Sequence, residues 1–246
     1  MTSFLHYMEK PVDLLILFAS PRRNGNSAYI AGCAAEFAQE LPFKVNTHIE
    51  TLAGKKIAPC CSCLACYKNG GNCVIKDSFE TLRQAWIAAD CILYVVPVYV
   101  VGIPGQLKSF LDRLHNSLIH HYPISSCRHM KPIGALTQGG DFGGGQELAA
   151  LDIMRHAALI NCMYTAPDGS YINSSGWADG PDGNELRRKV MQKSRDAELM
   201  MNTIRSTVTR VTQLAMIIRE GTNICREYLC EDERYRPYLN AHQENL

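Results

Sequence analysis

No stretch of this chain approaches the roughly 20 consecutive apolar residues that a membrane-spanning helix needs. The opening residues MTSFLHYMEK lack the basic start and apolar run of a secretory signal. A cytoplasmic protein with no membrane partner is expected. Excess charge is missing too, with 25 Lys and Arg against 24 Asp and Glu. Without a basic stripe interleaved with aromatics, nucleic acid is not an expected partner and a small molecule is. There is no internal repeat or low-complexity tract. Cysteines are plentiful but not framework-like. Their total of 11 is odd, and six of them (Cys33, Cys91, Cys127, Cys162, Cys225 and Cys230) are scattered. Disulfides are not expected, and a dense local cysteine group in a reducing compartment points to a metal or to redox chemistry.

With 246 residues, 46% of them hydrophobic, the chain is long enough for one large domain with a well-filled core. Asp13–Ala19 (DLLILFA) is a short apolar run bounded by turn residues, the pattern of a strand buried on both faces of a parallel sheet. An Ala-rich helix is expected from Ser27 to Gln39 and a second strand over Phe43–Ile49. After the cysteine loop come a helix from about Asp77, a strand at Cys91–Val98, a helix at Gln106–Leu118, a strand at Ile133–Thr137, a helix at Gln146–Leu159 and a short strand at Cys162–Ala166. This alternation predicts a doubly wound five-stranded parallel sheet with helices on both faces. From Asn184 to Glu220 apolar residues recur at three- or four-residue steps, which predicts a long amphipathic helix, broken or continuous. One domain over residues 1–220 is expected, followed by an arm or tail at 221–246.

The segment Ser20-Pro-Arg-Arg-Asn-Gly-Asn-Ser27 joins the first strand to the first helix, where backbone N–H groups and the helix dipole favour an anion. Ser20, Asn26 and Ser27 offer donors, Arg22 or Arg23 offers charge, and Gly25 allows close approach. The loop is neither G-x-G-x-x-G nor G-x-x-x-x-G-K-[ST], so it suits a monophosphate rather than a dinucleotide or a nucleoside triphosphate. A plain polar turn that caps the helix is the alternative. In the flavodoxin-like strand order 2-1-3-4-5, flavin mononucleotide sits where the order reverses, between the first and third strands. The third strand ends in Pro97-Val98-Tyr99-Val100, and the fourth leads into Gly139-Gly140 and a glycine-rich loop. Together these three strand ends form a candidate cofactor crevice.

Five cysteines crowd the segment PCCSCLACYKNGGNC. Cys60, Cys63, Cys66 and Cys73 follow C-x2-C-x2-C-x6-C, in which two-residue gaps let successive thiolates face one centre and the Gly70-Gly71 loop lets the fourth reach round. Four thiolates suit a [4Fe-4S] cluster. Zinc is the rival, although structural zinc more often uses two separated pairs. Cys61 is the spare thiol, and Cys225 and Cys230 read as tail thiols. His120-His121 reads as solvated surface. Trp177 is left open between packing on a flavin and meeting a neighbouring subunit.

SPRRNGNS, PVYVVGIPGQLKSFLDR and TQGGDFGGGQE resemble, in order and spacing, the motifs of the NADPH-dependent FMN reductase and flavodoxin-like superfamily over roughly Asp13 to Ala166. Within it, the cysteine segment resembles that of the iron-sulfur flavoproteins. The resemblance implies that Ser20, Arg22, Asn24, Asn26 and Ser27 hold the FMN phosphate, and that Pro97, Val98, Tyr99, Val100, Gly139 and Gly140 flank the isoalloxazine. It also implies electron transfer between FMN, a [4Fe-4S] cluster and a donor such as ferredoxin or NAD(P)H, with a small-molecule acceptor and a homodimer or homotetramer. In the helix LKSFLDR, Lys108, Asp112 and Arg113 are expected to lock the helix to its neighbours. No side chain is assigned as catalytic, because the cofactors carry the redox chemistry. Two other readings stay open: a clusterless NAD(P)H-dependent FMN or quinone reductase, and a non-enzymatic electron carrier or zinc-binding module.

Overall fold

In β1 (Val12–Phe18) every residue except Asp13 is apolar and buried. A strand of that composition is stable only with a packed layer on each face. The computed structural model describes residues 10–121, 126–141, 143–169, 174–177 and 182–241. The residues outside it include the closing 242–246 and the side chain of Trp177. β1 pairs in parallel with β2 (Val45–Thr51) on one side and with β3 (Cys91–Pro97) on the other. β4 (Pro132–Gly139) lies beside β3, and β5 is only Met163–Tyr164. The order is β2-β1-β3-β4-β5, the flavodoxin-like order that the resemblance implied for the expected doubly wound sheet.

Because side chains alternate along a strand, the two faces of the sheet have separate cores. Leu14, Ile16, Leu93 and Val95 face α1 (Asn26–Gln39) and a long helix from the carboxyl-terminal part of the chain. Leu15, Leu17, Ile92 and Tyr94 face the opposite layer. After a single-turn helix α2 (Ala65–Lys68), that layer consists of α3 (Phe79–Ala88), α4 (Gly105–His121) and α5 (Gln146–Leu159). Trp86 and Tyr94 are fully buried there, and the indole Nε1–H donates to the phenol oxygen at 3.0 Å, so neither polar atom is stranded.

One feature differs from the sequence expectation. Beyond the five strands expected, Ser174–Trp177 forms a sixth strand β6 that pairs in parallel with the carboxyl half of β4. β5 covers only Pro132 and Ile133 of β4, which leaves the outer edge of that half open on the side away from β3. Open backbone groups there recruit a Ser- and Gly-containing segment of low strand propensity. Of the two forms expected for the long amphipathic helix, the broken one is found. α6 (Glu185–Met191) stops at Gln192–Ser194, where Lys193 takes φ 53°, and α7 (Arg195–Ile224) starts afresh. α7 closes on β4 at Gly134, where a Cβ would meet Val211 Cγ2 at 2.8 Å and Thr207 Cγ2 at 3.0 Å. Two short helices follow, α8 (Arg226–Leu229) and α9 (Arg236–Ala241). Leu239 is buried, and the Arg128 N–H donates to the Arg234 carbonyl at 3.0 Å. No helix among the described residues is long and apolar enough to cross a membrane.

Two imidazoles lie in this framework in the neutral form. Burial, helped by the charge of Lys131, lowers the pKa of His129 to about 4. Burial, helped by His115, does the same for His156. In the unfolded chain both take up a proton near pH 6.5, whereas in the native chain they resist until about pH 4. The stability they contribute is therefore complete above pH 6.5 and is lost as pH falls toward 4, by up to about 3 kcal/mol per site. Urea midpoints measured from pH 7 to 4.5 should fall steeply, and His129→Gln should flatten part of that slope. Equal slopes in the two proteins would contradict this assignment.

Candidate cofactor sites

A cavity of about 230 Å³ opens beyond the carboxyl ends of β1, β3 and β4. From the first loop, Ser20, Arg22, Gly25, Asn26 and Ser27 line it. Pro97, Val98 and Tyr99 form a second wall, and Gln138, Gly139 and Gly140 a third. Gly25 is the N-cap residue of α1 and carries no side chain, and no side chain caps the helix. The N–H groups of its first turn thus point toward this space with the positive end of the dipole behind them. The Ser20 hydroxyl oxygen accepts from the Arg22 N–H at 3.1 Å, which leaves its own proton to donate outward. Deeper in, Gln138 Nε2 donates to the Ser27 hydroxyl, while Gln138 Oε1 is buried without a partner. Unpaired N–H groups, an orphaned amide oxygen and a glycine at the helix start fit a phosphate-bearing flavin.

Three of the expected side chains behave differently from the sequence reading. Asn24 is exposed and does not line the cavity, because the loop turns it away before α1 begins. Val100 is fully exposed at the tip of a tight turn. There Tyr99 and Gly102 exchange backbone hydrogen bonds at 2.9 and 3.1 Å, and Val100 and Val101 take φ 47° and 63°. Left-handed φ at two β-branched residues is strained. The turn is braced by Gly145, where a Cβ would come within 2.7 Å of the Val101 Cα. Asn26 lines the cavity, but its Nδ2 donates to Glu185 Oε2 at 2.8 Å and its Oδ1 accepts from the Leu186 N–H at 3.2 Å. Most of its capacity is spent on the start of α6.

Sequence reasoning missed that fourth side of the cavity. Gly183 lines it, and the buried Glu185 carboxylate accepts from the Gly183 N–H at 3.1 Å while holding Asn26. D-G-N-E has the character of a helix start. Nothing local in it signals a partner about 160 residues upstream.

The cysteines lie elsewhere, along the flank of α4. Cys60, Cys61, Cys63, Cys66 and Cys73 line a pocket of about 30 Å³ together with Arg113, Asn116 and Ser117. All 11 cysteines are free thiols. Burial raises the Cys66 pKa, and the neighbouring Cys73 and Cys60 add to the effect. Exposed Cys63 is shifted down by the Ala65 backbone N–H and the Cys61 thiol. Among the described residues no group of three or more His, Cys, Asp or Glu is arranged to hold a metal ion as it stands. The loop bends through left-handed φ at Ser62 and Leu64 and again at Gly70 and Gly71. At Gly71 a Cβ would come within 2.6 Å of the Ser117 carbonyl, so only glycine lets the loop lie against α4. Five thiols around one small pocket, Cys61 joining the four of the C-x2-C-x2-C-x6-C spacing, with a buried arginine beside them, suit a cubane in donor type and neighbourhood.

His120 and His121 are not free surface. The His120 ring meets Tyr67 edge-on at 5.1 Å, and His121 Nδ1 lies between Arg83 Nη1 at 3.3 Å and the Gly70 carbonyl at 3.4 Å. Buried Arg83 also donates from Nη2 to Asn72 Oδ1 at 2.9 Å and pairs with Glu80. These contacts hold the cysteine loop to α3 and α4.

The model of the family described as NADPH-dependent FMN reductase matches residues 12–178. An iron-sulfur flavoprotein of Methanosarcina thermophila is 31% identical over 158 residues, 64% of this chain and 78% of that protein. One from Methanocaldococcus jannaschii is 31% identical over 184 residues, 71% and 89% of the two chains. Among solved structures, RosB with bound 8-demethyl-8-formylriboflavin-5'-phosphate is similar at TM-score 0.64 and 16% identity, covering 90% of this chain and 88% of its own, a likeness of fold.

The geometry sets up a comparison within one site. Ser27→Ala removes a buried hydroxyl at the cavity, and FMN affinity should weaken by about 10- to 100-fold, the range for one hydrogen bond to a charged group. Val100→Ala, at the exposed tip, should leave affinity within about twofold, since a surface change away from the cavity costs little. Fluorescence titration of the apoprotein measures both, and equal losses would contradict the placement.

Proposed function

Because the chain belongs to the NADPH-dependent FMN reductase family and is an FMN-dependent oxidoreductase with iron-sulfur flavoproteins among its relatives, we infer that its two sites hold two redox centres. In this reading FMN occupies the cavity at the β1, β3 and β4 ends, and the four-cysteine pocket holds a [4Fe-4S] cluster. The observation that carries the reading is the convergence of the uncapped α1 N-terminus and three strand ends on one cavity.

When bound, the flavin would supply two-electron redox chemistry and the cluster single-electron exchange. The chain's residues supply position and electrostatics. Ser20, Ser27, Arg22 and the first N–H groups of α1 would hold the phosphate, and Pro97–Tyr99 with Gly139 and Gly140 would bracket the ring. Cys60, Cys63, Cys66 and Cys73 would ligate iron. The cysteine pocket is lined by Arg113, Asn116 and Ser117 of α4, whose first turn follows the Tyr99 turn at the flavin cavity and whose Arg113 stands roughly 12 Å further along its axis. The donor is NAD(P)H or a ferredoxin-like protein, and the acceptor a small molecule. Exposed Ile217, Ile224 and Tyr228 near the end of α7 support self-association into a dimer or tetramer.

Protein purified without oxygen should be brown, with flavin absorbance over a broad iron-sulfur background and about four iron atoms per chain. Cys63→Ser should lose iron and keep FMN. Iron-free protein with full activity would end the cluster half of the reading. A second reading, a clusterless NAD(P)H-dependent FMN or quinone reductase, is favoured by the thiols not standing as a preformed metal group. Rapid anaerobic bleaching of the flavin by NADPH in iron-free protein selects it.

A further inference from the structure

The guanidinium of Arg113 is the most thoroughly enclosed cation beside the cysteines, its side chain only 1% exposed. Its Nη1 donates to Asp77 Oδ2 at 2.6 Å and to the Ala58 carbonyl at 3.2 Å, and its Nη2 donates to the Ile75 carbonyl at 3.2 Å. Asp77 in turn accepts from the Ala58 N–H at 2.8 Å. Ala58 lies just before the cysteine loop and Ile75 just after it. The Arg113–Asp77 pair therefore staples the two ends of that loop. One face of the guanidinium stacks on Phe79 at 4.2 Å, which fixes its plane.

Two of its five N–H groups are left over, the second on Nη2 and the one on Nε. Arg113 Nε is buried and makes no hydrogen bond to the surrounding protein, while the guanidinium lies beside the Cys73 thiol and the residue lines the same pocket as the cysteines. A buried N–H of a charged group is costly to leave unpaired. The acceptor type concentrated in that pocket is sulfur, and hydrogen bonds to sulfur are one of the means by which a protein sets the potential of an iron-sulfur centre.

We propose that Arg113 is a positioning residue of the cysteine site: its Nη groups close the loop, and its Nε–H donates to a sulfur of the centre, a ligand thiolate or a bridging sulfide. The proposal rests on the cluster reading of this pocket. Removing the donor makes the centre harder to reduce and easier to strip, because outer-shell partners orient and stabilise the ligands.

The test uses wild-type protein, Arg113→Lys and Arg113→Gln, each reconstituted anaerobically with iron and sulfide. The readouts are FMN and iron content, the midpoint potential of the cluster by redox-poised EPR, and the rate of iron loss to a chelator. Arg113→Lys keeps the charge and a donor to Asp77 but loses the planar fork, so it should bind FMN as wild type does. Its cluster potential should be lower and its iron loss faster by about tenfold, the low end of what a lost outer-shell partner costs. Arg113→Gln should show larger effects of the same sign. Wild-type protein carrying nitrogen-15-labelled arginine supplies a readout that does not depend on a variant folding. Its reduced cluster should show hyperfine coupling to a guanidinium nitrogen. No coupling, or unchanged potential and iron loss in Arg113→Lys, overturns the proposal while the cluster stands. Wild-type protein that takes up no iron overturns the cluster reading and this proposal with it.

Discussion

A parallel strand buried on both faces has to hand the chain to a crossover helix at its carboxyl end, and β1 is such a strand with a neighbour on each side. The chain leaves β1 toward β2 on one side and leaves β3 toward β4 on the other, so the two connections part between β1 and β3 and leave a crevice there. Every feature of the cavity follows from that divergence. The loop after β1 cannot enter the core without stranding its backbone polar groups. It stays at the rim, with the N–H groups of α1 facing outward.

The crossover from β2 to β3 carries the cysteines. It is long because it must pass along α4 before α3 begins, and it is anchored by charge rather than by apolar packing. The two ion pairs on α4 differ in weight. Lys108–Asp112 is exposed on both sides, and such pairs contribute a few tenths of a kcal/mol. Arg113–Asp77 is buried, and removal of either partner would leave an uncompensated charge at a cost of about 3–5 kcal/mol. The loop's fixed ends thus depend on Arg113, while its middle depends on Arg83, the two histidines and the fit of Gly71 against Ser117.

Two adjacent left-handed residues sit in the turn after β3, next to the cavity wall at Tyr99. Val100 and Val101 hold left-handed conformations that cost on the order of 1–3 kcal/mol each. They persist because the paired backbone bonds of Tyr99 and Gly102 and the close fit of Gly145 leave the turn no alternative. The turn carries Tyr99 into the cavity wall and leaves Val100 in solvent. Its direction also sets where α4 starts, and Gln106 ties that first turn to the Lys55 carbonyl ahead of the cysteine loop.

Much of this was legible in the residues themselves. The strand order came with the flavodoxin-like resemblance, and the division of Leu14 and Ile16 from Leu15 and Leu17 between two cores came from the folded layers, but the alternation of apolar runs with helical spacing is a local property from which a doubly wound parallel sheet was legible. The same holds for the chemical character of SPRRNGNS and for the four-thiol spacing, because donor type and reach are written in short segments. The sequence alone did not say that Asn24 and Val100 turn outward, that Ser174–Trp177 completes the edge of β4, or that His120 and His121 hold the cysteine loop. It also did not show that Glu185 closes the cavity around Asn26, or that Arg113 turns its fork on the ends of the loop. Those depend on which groups lie within hydrogen-bonding distance after residues far apart in the chain are brought together. Only the folded packing decides that distance, because no local propensity encodes a partner that lies from 36 to 160 positions away.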